Sequence, residues 1–457
     1  MKIVVFNGSP KGKNSITFQT VRYLETVFDS HEWITFHVGA QSGALPVILE
    51  NIKESVRDAE LILFAYPVYT FIAPSQLHKT IAFLKENDVD FKGKYMTQIT
   101  TSKHFYDVTA HRYIEDNALE MGMKILRGLS EDMNDLLTKE GREEAKDFFR
   151  YVLYCMKEGI SEPTYRRERK RTVKPTKYTA SGERREHSSD KKVVIVTDYT
   201  KGQENLRNMI VEFRRMLPYE SEVVNLQRLN IRGGCLGCFH CASDGKCIYT
   251  DKFDSVLRKH IQTKDAIVYA FEIKDHSMGP MFKMYDDRQF CNGHRTVTMG
   301  MPMAYLISGQ YKEEPNLQMV IEGRAQVGGN YLSGVVTDED PSDDVISDQI
   351  RQMADKLSYA MEHNYQQPKN FYGVGGMKIF RDLIYVMRGF MKEDHRFYKK
   401  HGFYKDFPQR QFMTTLGMSA VGMMMSVPAL QKEMQGKMTE GMLMPYEKIL
   451  KDAANER

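Results

Sequence analysis

Two stretches of the 457-residue chain carry residue types that do chemistry. The first is Cys235-x2-Cys238-x2-Cys241-x5-Cys247, within GGCLGCFHCASDGKCIYTD. Three thiols two residues apart, with a fourth close by, can wrap one compact metal cluster. Iron–sulfur ligation of the ferredoxin type uses such spacing. Structural zinc more often takes two separated pairs, and bare redox-active thiols are the third option. Gly233, Gly234, Gly237 and Gly245 permit the tight backbone path that such a loop requires. Cys155 and Cys291 are isolated in the sequence and read as buried structural thiols.

The second stretch is Asn7-Gly8-Ser9-Pro10-Lys11-Gly12-Lys13-Asn14-Ser15, directly after the apolar run KIVVF. A turn rich in Gly, Ser and Asn between a buried strand and a helix presents backbone N–H groups to an anion. Ser9 and Ser15 add hydroxyls, Asn14 an amide and Lys11 a charge. The turn is not a Walker loop, because the G-K-[ST] ending is absent, and it is not the G-x-G-x-x-G fingerprint. A second apolar run ends in Tyr66-Pro67-Val68-Tyr69-Thr70, with a helix expected from near Pro74. A third polar loop, Thr100-Thr101-Ser102-Lys103-His104, follows KYMTQIT. In open α/β sheets ligands bind beyond the carboxyl ends of the strands. Three polar loops on that rim can hold a phosphate, a polyol chain and a flat ring.

The elements that must position these loops form an internal repeat. KIVVFNGSPKGKNS (Lys2 to Ser15) has the grammar of KVVIVTDYTKGQEN (Lys192 to Asn205), and AELILFAYPVY (Ala59 to Tyr69) that of KDAIVYAFEIK (Lys264 to Lys274). Unbroken apolar runs separated by helical patterns are buried parallel strands of βαβ units. The offset grows from 190 to 205 between the two matches, and the cysteine motif lies in that gain. Amphipathic helices are expected over about Glu131–Lys157, Asp343–Asn364 and Met377–Lys392. The expected fold is α/β, with two tandem doubly wound parallel sheets and a helical C-terminal extension. Its parts are a domain at 1–160, a basic linker at 161–190, a second domain at 191–367 and a Met-rich extension at 368–457.

Composition narrows the function classes. The net charge is +4, while Pro163–Lys192 alone holds eleven Lys/Arg against four Asp/Glu. The basic character therefore belongs to one solvated segment, and no nucleic-acid partner is expected. KIVVF begins the chain with no secretory leader, so a cytoplasmic location is expected. Phe412 to Leu430 carries no charge but is broken by Pro428, two glycines and several Ser/Thr; it reads as a buried or cofactor-covering helix and not a membrane span.

GSPKGKNS, then YPVYTFIAPSQLHKTIAFL, then the Thr/Ser-rich third loop resemble the flavodoxin-like NAD(P)H-dependent FMN reductase family over essentially all of 1–160. The resemblance implies flavodoxin-like domains, FMN as cofactor, NAD(P)H as donor and a small-molecule or redox-protein acceptor. It assigns Ser9, Lys11, Asn14 and Ser15 to the FMN phosphate. Pro67, Val68, Tyr69 and Thr70 go to the ring face, and Thr101 and Ser102 to the ring edge. The cysteine segment resembles that of iron–sulfur flavoproteins, which implies a [4Fe–4S] cluster on Cys235, Cys238, Cys241 and Cys247. Hydride transfer needs no acid, base or nucleophile from the protein, and none is assigned. His104 and Tyr69 are the side chains that could polarise an acceptor.

The second copy has lost the FMN features. Ser9 aligns with Tyr199, Asn14 with Glu204, Ser15 with Asn205, and Pro67-Val68-Tyr69 with Glu272-Ile273-Lys274. A carboxylate where a phosphate would sit repels it. One copy thus has the FMN loops and the other the cysteines. This division matches a fused, intrachain pseudo-dimer, in which electrons pass from FMN to the cysteine loop. The alternatives are a quinone, nitro or azo reductase with structural cysteines, and a non-catalytic electron carrier or redox sensor.

Overall fold

The computed structural model describes residues 1–162, 177–242, 244–405, 407 and 412–429. Residues 163–176 of the expected linker and the end of the extension (430–457) lie outside the described residues. The chain forms two compact units, Met1–His395 and Arg396–Arg457.

The first half of the larger unit runs β1 (Lys2–Asn7), α1 (Ile16–Val27), β2 (Glu32–Phe36), α2 (Leu45–Asp58), β3 (Leu61–Pro67), α3 (Ser75–Glu86), β4 (Tyr95–Ser102), α4 (Asp107–Glu120), β5 (Lys124–Ile125), β6 (Leu129–Asp132) and α5 (Lys139–Lys157). The second half runs β7 (Ser188–Thr197), α6 (Glu204–Met216), β8 (Tyr219–Asn225), α7 (Phe253–Val256), β9 (Ala266–Glu272), α8 (Gly279–Arg288), β10 (Met303–Ser308), α9 (Pro315–Gly328), β11 (Leu332–Thr337) and α10 (Asp343–His363). Then follow α11 (Phe371–Val386), α12 (Lys392–Lys400) and α13 (Phe412–Met425).

The sheets are parallel and share one topology. Their orders are β2-β1-β3-β4-β5, with β6 beside β4, and β8-β7-β9-β10-β11. Counted within each half, both are the doubly wound 2-1-3-4-5 order of flavodoxin-like folds. Register obeys the repeat: Val5 pairs with Leu63, and the matching Ile195 pairs with Val268. The β-branched and aromatic residues of β1, β3, β7 and β9 are buried because helices cover both faces of each sheet.

Helix α5 shows how sequence builds a covering layer. Ala145, Phe149, Val152 and Cys155 recur at helical spacing and are buried, and Thr138 caps the start by accepting a 2.9 Å bond from Gly141 N–H. Phe149 alone is worth about 3–5 kcal/mol by the cost of truncating it to Ala. The expected helix from Glu131 starts later. Glu131 lies in β6, paired in register with Thr101 of β4, because that edge still needs a strand before the chain turns back. The helix expected at Met377–Lys392 begins earlier, at Phe371. Asn370 caps it by accepting from Tyr372 and Gly373 N–H, and Lys392 starts α12.

In the smaller unit, Tyr398 and Phe403 pack edge to face at 5.0 Å. The stretch expected as a buried helix does form a helix, α13, but it is not buried. Phe412, Met413, Leu416, Met418 and Met423 are all exposed, since its apolar residues occupy every side and leave no single face to bury. No described helix is long and apolar enough to cross a membrane.

The two halves meet through corresponding elements. Helix α3 lies against α8 and α4 against α9, each pair occupying equivalent places in the repeat. The loop after β3 enters the second half, where Phe71 and Ile72 join its core. Both halves make the same turn there. Thr70 and Phe71 have φ of 42° and 74°, and Asp275 and His276, 205 residues on, have 50° and 61°. Each turn is closed by an antiparallel bridge, Tyr69 with Ile72 and Lys274 with Ser277. Non-glycine residues in this region cost of order 1–3 kcal/mol each, so surrounding contacts must hold both turns.

Candidate functional site

The three sequence-expected loops lie at the carboxyl ends of β1, β3 and β4. In the first, Asn7 organises the backbone. Its side chain accepts from Ser9 N–H (3.1 Å) and donates to Gly12 O (2.9 Å). Gly12 has φ of 52°, which suits glycine. Gly39 closes on the loop so tightly that a Cβ there would collide with Gly8 O. Ser9 and Ser15 are buried, and Ser15 stands at the N-cap of α1 without capping it. The first-turn N–H groups of a twelve-residue helix are thereby left with no side-chain cap beside two serines. The cradle fits a phosphate. Lys11 sends its ammonium over the ring of Phe239, 5.0 Å from the centroid, in the cysteine loop of the second half. Asn14 is exposed.

The second loop, Pro67 to Thr70, is held from the other half. Lys283 donates to Tyr69 O (2.9 Å) and Thr70 Oγ1 (2.7 Å), and Thr70 donates to Asp287 (2.8 Å). Ser75 N–H also donates to Asp287 (2.7 Å). The Thr70 hydroxyl, assigned to the ring face by resemblance, is thus engaged by α8. Lys283 and Asp287 form an ion pair with no solvent exposure. Burial pulls the Lys283 ammonium down to about 8, against the attraction of Asp287. In the third loop Thr101 is buried and its Oγ1 has no protein partner, a group that would suit the polar edge of a bound ring. Ser102 Oγ accepts from His104 N–H (2.9 Å), and His104 pairs with Asp107 (3.0 Å). Glu131, beside Thr101 in register, is pushed by burial up to about 7.

The matching rim of the second half is closed by its own acids. Gln203 bonds Glu272, and Asn205 donates to Asp338 (2.9 Å). Asp338 also takes Ser308 Oγ (2.6 Å) and Gly309 N–H (2.8 Å), the donors at the end of β10. Burial raises Asp198 to about 6. The start of α6, like that of α1, has no side-chain cap, but Glu204 stands in its first turn, where its carboxylate would repel a phosphate.

The cysteine loop occupies the connection from β8 to β9 and faces the Pro67–Thr70 loop. Gln76 donates to Cys235 O (3.2 Å). Gly237, at φ of 61°, abuts the Tyr69 hydroxyl so closely that a Cβ would collide with it. Tyr69 in turn meets Phe290 edge on at 5.3 Å. Cys235, Cys238, Cys241 and Cys247 all line one small cavity with Tyr249, Asp287, Arg288 and Phe290. Cys291 is buried, as expected, and it lines this cavity too: the turn after α8 brings it beside a motif that ends 44 residues earlier. Arg288 binds Asp251 (2.7 and 3.0 Å) and Gly233 O (3.2 Å), fixing both ends of the loop to α8. Burial lifts the thiols of Cys235, Cys241 and Cys291 to about 12, 11 and 12. Such thiols are poor nucleophiles on their own.

The four thiols line one cavity without forming a single-ion site. Sulfurs around one zinc lie about 3.8 Å apart, from Zn–S bonds of about 2.3 Å. Among the described residues no three of these thiols come within 4.8 Å of one another. The start of the extension also reaches this region. Phe380 packs on Phe105 at 4.3 Å, Phe390 on Phe239 at 5.8 Å, and Asp394 accepts from His294 N–H at 2.7 Å.

The topology and the loops make each half flavodoxin-like. Residues 1–130 match the NADPH-dependent FMN reductase family. The flavoenzyme NAD(P)H:(acceptor) oxidoreductase FerB of Paracoccus denitrificans is 17% identical, with 35% of this chain and 99% of that one covered and a TM-score of 0.29. General stress protein 14 of Treponema denticola, in complex with FMN, is 13% identical, covering 34% and 99%, with a TM-score of 0.28. The NAD(P)H:quinone oxidoreductase of Methanothermobacter marburgensis is 15% identical, covering 39% and 100%, with a TM-score of 0.30. No curated protein matches the chain.

Proposed function

We propose that this chain is an NAD(P)H-dependent FMN oxidoreductase whose first half binds the flavin and whose second half carries the electrons onward. The observation that carries the reading is the division of labour across the interface. The open phosphate cradle at Ser9 and Ser15 and the partnerless Thr101 hydroxyl belong to one half, and the four cysteines that line one cavity, with Gly237 against Tyr69, to the other. In this reading Ser9, Asn14, Ser15 and the start of α1 hold the phosphate, and Lys11 adds positive potential nearby. Pro67, Val68 and Tyr69 flank the ring, and Thr101 and Ser102 address its edge. FMN, when bound, accepts hydride from NAD(P)H and releases electrons singly or in pairs. The protein orients donor and acceptor, and Tyr69 and Phe290 exclude water between the flavin face and the cysteine loop.

Cys235, Cys238, Cys241 and Cys247 would hold a [4Fe–4S] cluster, making the chain a fused pseudo-dimer with an internal electron path. The acceptor is a small molecule or a redox protein. If no cluster forms, the second reading is a plain quinone, nitro or azo reductase with structural cysteines. Anaerobic purification with absorption, iron, sulfide and flavin analysis tests the assignment. One FMN and about four irons per chain are expected. FMN without iron selects the plain reductase. Two FMN per chain would overturn the assignment to the first half, and reduction by a protein partner alone would select the carrier.

A further inference from the structure

A second cluster of ligand-type side chains shares no residue with the cysteine cavity. Asp116 of α4, His276 of the turn after β9 and Glu314 before α9 are all buried, and one ligand atom from each lies within 4.8 Å of the others. His276 Nδ1 is 3.2 Å from both Glu314 carboxylate oxygens. Ligands on one cation with bonds of about 2.1 Å stand about 3.0–3.4 Å apart, so this spacing is that of neighbours in a coordination shell. His276 Nε2 faces Glu120 at 3.1 Å. A metal-bound histidine characteristically gives its other ring N–H to a carboxylate. Glu120 is itself compensated by Lys85, which also binds Asp275 (3.0 Å) and Asn117 (2.6 Å).

The repeat shows that the fold does not demand this cluster. The equivalents of His276 and Glu314 are Phe71 and Tyr106, likewise at the second left-handed residue of the turn and at the N-cap of the following helix. Counted from the starts of α4 and α9, Asp116 corresponds to Arg324. There Phe71 meets Tyr106 edge to face at 4.4 Å, with Arg324 over the Phe71 ring at 5.9 Å. One side of the pseudo-twofold is filled by aromatic packing, while the other gathers a histidine and two acids in the same backbone places.

We propose that Asp116, His276 and Glu314 bind a divalent transition-metal cation that ties the two halves together. Imidazole with carboxylates suits Mn2+, Fe2+ and Zn2+. Mn2+ is the probe of choice, because it disfavours the thiolates of the cysteine loop. The full-length chain is stripped with chelator and titrated with Mn2+ by electron paramagnetic resonance, with thermal unfolding in parallel. One tight Mn2+ per chain and a raised Tm are expected. Asp116→Asn, Glu314→Gln and His276→Phe should each weaken binding at least tenfold and abolish the Tm rise; Cys238→Ser and Cys241→Ser should leave both unchanged. His276→Phe combined with Glu314→Tyr installs the pair already present at Phe71 and Tyr106, which guards against loss of the fold. Absence of Mn2+ binding by the parent chain, or binding that survives His276→Phe and Glu314→Gln, overturns the proposal.

Discussion

The two halves share strand order, register and even the strained turn after the third strand, yet their rims differ in kind. In the first, the start of α1 is uncapped by side chains and Thr101 keeps a buried hydroxyl without a protein partner. In the second, Asp338 gathers the side chain of Asn205, the hydroxyl of Ser308 and the N–H of Gly309. At the second rim a carboxylate of the chain itself satisfies the donors at the end of β10, since buried donors must be paired by something.

The largest expected effect tests how the second half holds the Pro67–Thr70 loop. Asp287→Ala leaves Lys283 buried beside Tyr69 and Thr70 without its closest partner, and should cost about 3–5 kcal/mol in chemical unfolding. Replacing both, as Lys283→Met with Asp287→Leu, should recover most of that. A double variant no more stable than the single would show that the pair is not the source of the cost.

Next, the comparison can be broken by moving the second rim into the first. Ser9→Tyr with Asn14→Glu installs the residues found at Tyr199 and Glu204. FMN affinity should fall at least ~100-fold, about 3 kcal/mol, in a fluorescence titration. Unchanged affinity would place the phosphate elsewhere.

Glu131 gives a pH test. Its carboxyl is raised from 4.5 to about 7 by burial, so the folded state holds a proton that the unfolded chain releases. Its contribution is intact below about pH 4.5 and is lost as pH rises through 7. Glu131→Gln should stabilise the protein by ~2–3 kcal/mol at pH 8 and hardly at pH 4, read from urea midpoints. Equal effects at both pH values would refute the burial argument.

The smallest effect sharpens the link between the halves. Gly237→Ala adds a methyl group against the Tyr69 hydroxyl at a positive φ and should cost ~1–2 kcal/mol. It should also slow electron flow from NAD(P)H to any cluster relative to flavin reduction, in stopped-flow absorbance. A variant that reduces both at the parent rate would remove the Gly237–Tyr69 contact from the electron path.

The sequence alone determined the parallel strands, the duplication, the three rim loops and the crowding of four cysteines. These are local facts: buried runs, turn residues and short spacings are written within a few residues of one another. It also carried the spoiling of the second rim, because the repeat supplied its own aligned comparison. Tertiary structure alone decided which groups meet across the interface. Cys291 joins the cysteine cavity, the Thr70 hydroxyl is turned to Asp287, and Lys11 leans on Phe239. Asp116, His276 and Glu314 come together from three separate elements. Glu131 becomes a strand residue because β4 has an edge to pair. None of these has a spacing that repeats along the chain. They follow from the packing of α3 on α8 and α4 on α9, which fixes distances between residues hundreds of positions apart.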